Sequence, residues 1–124
     1  MAVINFNSQR VAAGADLILW EGLSGDDTGK PLPFPKFPER TIHFYGDFGG
    51  GTATLEGSND PRANPDHVDH DNAEWFELED LNGIKISKTD SDGEGVAQSP
   101  HWIRPVLTGA TGGSVTASLI ARKN

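Results

Sequence analysis

The chain has 124 residues and a formal charge of −8, from 18 acidic and ten basic side chains, with 15 glycines, eight prolines and no cysteine. That length fits one domain spanning residues 1–124, the acidic balance argues against direct contact with a nucleic-acid backbone, and the lack of thiols excludes a disulfide framework, a thiolate metal site and a cysteine nucleophile. No apolar run approaches the roughly 18 residues of a membrane span, and the N-terminus lacks the charged-then-apolar pattern of a cleaved secretion signal, so no membrane partner and no leader are expected.

Helical periodicity is nearly missing, because Gly or Pro interrupts every candidate window. Alternation by two is common instead. In chain order, strands are expected over residues 2–6, 16–20, 41–45, 52–56, 74–78, 83–86, 102–107 and 114–122. Within 114–122, Val115, Ala117, Leu119 and Ala121 share one face, and within 52–56 Ala53 and Leu55 do. Turn clusters at 24–29, 49–51 and 109–113 separate these runs, and Asn82-Gly83 signals a two-residue hairpin. The pattern predicts an all-β chain, a single antiparallel β-sandwich or jelly roll.

Two segments break the alternation. Residues 31–38 alternate proline with apolar or basic side chains, and proline fixes φ and removes the amide donor. They form an extended Pro-rich arm, either a stiff loop across one sandwich end or an arm that inserts Phe34 and Phe37 into a neighbour. Residues 61–72 form a polar, acidic insertion between two strands. The charge is concentrated nearby. Residues 60–94 hold 11 acids and three bases, while the other 89 positions carry seven of each and are neutral. The neutral remainder is the better candidate for a docking surface, with the acidic region facing away from it.

The candidate chemistry is thin. His67 and His70, among Asp66, Asp69 and Asp71, are ligand types that suit a divalent transition metal, but a loop spacing does not pre-organise them. Asp90, Asp92, Glu94 and Gly95 match positions 1, 3, 5 and 6 of a calcium loop, yet position 12 is His101 rather than a bidentate Glu. Both runs are read as solvated acidic surface, with no metal and no cofactor expected. No nucleophile elbow is present, and the glycines at 46–51 lack the Lys-Ser/Thr of a phosphate loop, so no enzyme is expected. Trp20, Trp75 and Trp102 fall on three strands, as core fillers or as an exposed platform for a sugar. Arg104 either pairs with an acid or reaches a partner.

The phrase Ala53-Thr54-Leu55-Glu56-Gly57-Ser58-Asn59-Asp60, followed by Trp75-Phe76-Glu77-Leu78, is similar to a strand-turn-strand phrase of β-sandwich modules such as discoidin-like domains. The acidic loop is then an insertion into it. The wider order resembles small virion proteins of tailed bacteriophages: Trp20-Glu21-Gly22-Leu23, Gly25-Asp26-Asp27-Thr28-Gly29-Lys30-Pro31, Arg40-Thr41, Gly46-Asp47-Phe48-Gly49-Gly50, Ile103-Arg104-Pro105 and Ala121-Arg122-Lys123. This resemblance implies a structural role on the capsid surface as a decoration or cement protein, assembled in the host cytoplasm. Its implied partners are the major capsid protein and further copies of the chain, as a dimer or trimer. A tail or connector component, or a carbohydrate-binding adhesion module, is the alternative. The contacts are expected from Ile4 and Phe6 of the N-terminal strand and from Pro31, Phe34 and Phe37 of the arm.

Overall fold

Alternating side chains are exposed and buried along Glu39–Asp47 and Ser114–Arg122, so each strand offers one apolar face, and two sheets bury those faces against each other. The structure, a computed structural model, describes residues 1–33 and 38–123. Its strands are β1 (Val3–Ile4), β2 (Phe6–Ala12), β3 (Ala15–Leu23), β4 (Thr28–Gly29), β5 (Leu32–Pro33), β6 (Glu39–Asp47), β7 (Thr52–Ser58), β8 (Phe76–Glu77), β9 (Ser87–Lys88), β10 (Asp92–Gly95), β11 (Trp102–Thr108) and β12 (Ser114–Arg122). Two 3-10 turns, Pro61–Ala63 and His70–Asn72, lie between β7 and β8. No α-helix occurs among the described residues, and none there is long and apolar enough to cross a membrane.

One sheet runs β10-β6-β12-β3-β2. The other runs β1-β4-β11-β7-β8, with β5 also on β11 and β9 also on β7. From β3 onward the chain changes sheet at six of nine connections, and the late strands β11 and β12 insert between early ones. This order is that of a jelly roll. Pairing is antiparallel throughout except between β1 and β4, which run parallel.

Both sheets share one core. Ile18, Trp20, Ile42, Phe44, Val115, Ala117 and Leu119 come from one sheet, and Ala53, Leu55, Ile103 and Leu107 from the other. Trp20 is completely buried, donates its indole N–H to the Lys30 carbonyl at 3.0 Å, and takes Phe6 edge-on at 5.7 Å. Arg40 continues the inward row of Ile42 and Phe44, and burial lowers its pKa. Two glycines are required, one by its backbone conformation and one by packing. Gly22, at φ 85°, occupies a β-bulge where Glu21 and Gly22 of β3 oppose only Thr116 of β12. A Cβ on Gly57 would lie 2.3 Å from Pro100 Cγ.

Three expectations change in detail. The N-terminal strand is divided at Asn5, so that β1 joins one sheet and β2 the other. The Asn82-Gly83 hairpin forms with a longer loop, closed by the Glu79–Lys85 bridge. Asp80 accounts for this, because its carboxylate accepts the N–H groups of both Asn82 (2.8 Å) and Ile84 (3.1 Å) and its carbonyl that of Gly83. Residues 92–95, read as a surface turn, are strand β10, paired to β6 from Asp92↔Phe44 to Gly95↔Thr41.

Phe44 is fully buried between the sheets. Phe44→Ala is expected to cost about 3–5 kcal/mol of unfolding free energy, measured by urea denaturation.

Candidate functional surfaces

The outward residues of β7 and β11 build the first surface. Arg104 sits opposite Glu56 in the ladder, and its Nε and Nη2 both reach Glu56 Oε1 at 2.9 Å. Its guanidinium carbon lies 3.9 Å from the centroid of the Trp75 ring, within the range of a cation–π contact. Arg104 thus pairs with an acid of its own chain. Together with Val3, Pro31, His70 and Asp71, Trp75 and Arg104 line a cleft of about 250 Å³. The three tryptophans divide: Trp20 is core, whereas Trp75 and Trp102 are half-buried, Trp102 with His101 edge-on at 5.2 Å.

The acidic insertion is closed at its base by one carboxylate. Asp60 accepts the Arg62 N–H at 2.9 Å, Arg62 Nη2 at 2.8 Å and the Glu74 N–H at 3.1 Å. Ser58 Oγ donates to the Glu74 carbonyl at 2.6 Å and accepts the Asp60 N–H. These bonds join residues 14 positions apart and hold the loop with His70 and Asp71 beside Val3 at the cleft. Hydrogen bonding from the Arg62 side chain, then from the backbone N–H groups of Arg62 and Glu74, holds the Asp60 carboxyl well below the usual carboxylate range.

Within the loop, His67 Nδ1 accepts the Asp69 N–H at 3.0 Å, and His70 Nδ1 lies 2.9 Å from the Arg62 carbonyl, to which only a protonated nitrogen can donate. Asp92 and Glu94 are brought together, but around Lys88: its ammonium lies 2.8 Å from Asp92 and 2.5 Å from Glu94. That cation comes from β9 in one sheet and the acids from β10 in the other, so the cluster ties the two edge strands together. The hydrogen bonds that Lys88 donates to Asp92 and Glu94 raise its pKa and lower that of Asp92. Asp90 is exposed in the bend before β10. Among the described residues, no group of three His, Asp or Glu is arranged to hold a metal ion.

Of the residues expected at a partner contact, Ile4 and Phe6 pack against the chain's own core, and Pro31 is buried at the cleft. Phe34 and Phe37 lie outside the described residues. The exposed apolar side chains at this end are instead Met1, 92% exposed, and Val3, 62%.

A second surface escapes reasoning on single strands. Pairing registers align Gln9, Leu17, Ile120, Thr41 and Gly95 in one row across the five-stranded sheet, and Asn7, Leu19, Ser118, His43 and Gly93 in the next. Their chain neighbours Ile18, Ile42 and Leu119 are core residues, so both rows lie on the outer face. None of the ten is an acid, a lysine or an arginine.

No protein-family model and no curated protein sequence matches the chain. Among solved structures it is similar to the protein YomS derived from the SPBc2 prophage, with a TM-score of 0.58 and 9% identity over 90% of this chain and 98% of that one. A cupin domain from Bordetella pertussis aligns at a TM-score of 0.46 with 9% identity, over 96% of this chain and 92% of that one. With YomS, at that identity, what is shared is the fold.

A depressed carboxylate pKa contributes stability that is present above the unfolded value, about 3.9, and lost as pH falls through the lower folded value. The loop is therefore expected to stay closed at pH 5. Asp60→Ala is expected to open it at every pH, seen as at least tenfold faster amide exchange over residues 61–74 with exchange in β12 unchanged.

Proposed function

We propose that this chain is a non-enzymatic structural protein of a tailed-bacteriophage particle, which binds the major capsid protein at the capsid surface and stabilises the shell. The observation that carries this reading is the N-terminal edge. The first nine residues contain no charged side chain in a chain of net charge −8. β1 ends its sheet, and the exposed Met1 and Val3 flank the cleft that Pro31 also lines. An edge strand offers unpaired backbone groups to a partner, and one already extended costs less to order than a free tail. The jelly roll shared with a prophage-derived protein of similar length supports the same reading.

Purified chain is expected to co-sediment with capsids assembled without it, and Val3→Asp to weaken that binding at least tenfold while leaving the melting temperature unchanged. Density for the chain on the tail or connector of the particle, with none on the shell, would overturn the capsid assignment.

A sugar-binding module is the second reading, favoured by the half-buried Trp75 in its cleft. Arg104 already covers one face of that ring, so a sugar has only the other to stack on. On the capsid reading, a panel of host polysaccharides leaves tryptophan fluorescence unchanged. Quenching that Trp75→Ala abolishes would establish the sugar reading instead.

A further inference from the structure

We propose that the outer face of the five-stranded sheet, uncharged over its central rows, is the contact between two copies of this chain, packed face to face about a two-fold axis. The centre of that face is Leu17, Leu19 and Ile120, held half-exposed by the single chain, with the His43 and Tyr45 rings paired at 4.8 Å beside them. Thr41, Ser118, Asn7 and Gln9 surround them with uncharged hydrogen-bonding groups. An apolar centre within a polar surround is the usual composition of an interface. A face that meets its own copy about a two-fold axis must also be complementary to itself. Uncharged rows satisfy this readily, since no side chain meets its own charge.

Electrostatics selects this face over the others. Two chains of charge −8 repel, so a stable contact must keep the acids apart. The acidic loop lies over the opposite sheet, at the Trp75 cleft. Even the acidic edge strand β10 presents only glycines here, because Asp92 and Glu94 alternate with Gly93 and Gly95 and turn to Lys88. The size is also sufficient. Five strands about 4.8 Å apart, with the three central ones nine residues long, span roughly 24 by 30 Å, or about 700 Å² per copy, with Glu39 and Arg122 opposite each other at one end and Asp47 at the other. A standard interface buries about 800 Å² per partner. At one end the face continues into a cleft of about 340 Å³, where Ile120, Thr41 and Leu81 meet Glu39, Arg40 and Arg122, so the contact passes there from apolar to charged side chains of both signs.

The contact does not depend on the capsid reading, since purified chain alone tests it. Sedimentation equilibrium of the full chain is expected to give twice the 13.3 kDa of one copy, and raising the salt should tighten the association by screening the net repulsion. Leu19→Glu and Ile120→Glu, at partly exposed positions, are each expected to return the mass to one copy with an unchanged circular dichroism spectrum and a melting temperature that no longer rises with concentration. Val68→Glu, on the acidic loop at 93% exposure, should leave the dimer intact. A chain that sediments as one copy at all concentrations overturns the proposal, as does a trimer or a dimer that persists in Leu19→Glu. So does a chain that is single in solution and uses Leu19 and Ile120 only to bind capsids.

Discussion

The inward rows of β3, β6 and β12 and those of β7 and β11 leave water only by facing each other, and the rest of the molecule is arranged around that burial. Each fully buried large aliphatic or aromatic side chain contributes roughly 1.5–3 kcal/mol, far more than an exposed ion pair adds. The core therefore sets the sheet spacing, and the polar contacts adjust what lies at its margins. Gly57 shows how tight the constraint is, since a single methyl group there would collide with Pro100.

A sandwich of two sheets has two open sides, and this chain closes them by different chemistry. On one side the N-terminal segment crosses from sheet to sheet at Asn5 and lays Ile4 and Phe6 over the core, with Phe6 edge-on to Trp20. On the other, Lys88 of β9 joins Asp92 and Glu94 of β10. The first side is closed by apolar packing and the second by an ionic cluster. The asymmetry of charge along the sequence thus becomes an asymmetry between the two sides of one body.

Because the core uses only one side chain in two, the outward ones are free to differ between the sheets. Over the seven-stranded sheet they form the Glu56–Arg104–Trp75 stack beneath an acidic loop closed by Asp60. Over the five-stranded sheet they form two rows without a charged side chain, aligned by the pairing registers. A jelly roll of this kind has two chemically distinct faces and an apolar N-terminal edge.

Alternation by two was enough to identify most of the long strands, the all-β class and the inward side of β7 and β12, because side-chain direction in a strand is a local property of the backbone. The four-residue stretch Asp92–Gly95 was illegible for the opposite reason: edge pairing is made by backbone groups that every residue carries, and its Asp, Gly and Glu side chains resemble those of a turn. The same limit hid the purpose of its acids, since a calcium-like spacing does not reveal that a lysine four positions before Asp92 supplies the cation. Ile4 and Phe6 were legible as apolar but not as core, because their burial depends on where β1 and β2 attach. By itself the sequence determined the fold class, the concentration of charge and the inward side of β7 and β12. Which strands lie side by side, and so which residues share the uncharged face or meet at the Trp75 cleft, was decided only by the tertiary structure, because backbone hydrogen bonds carry no residue identity and the joint burial of both sheets selects the register.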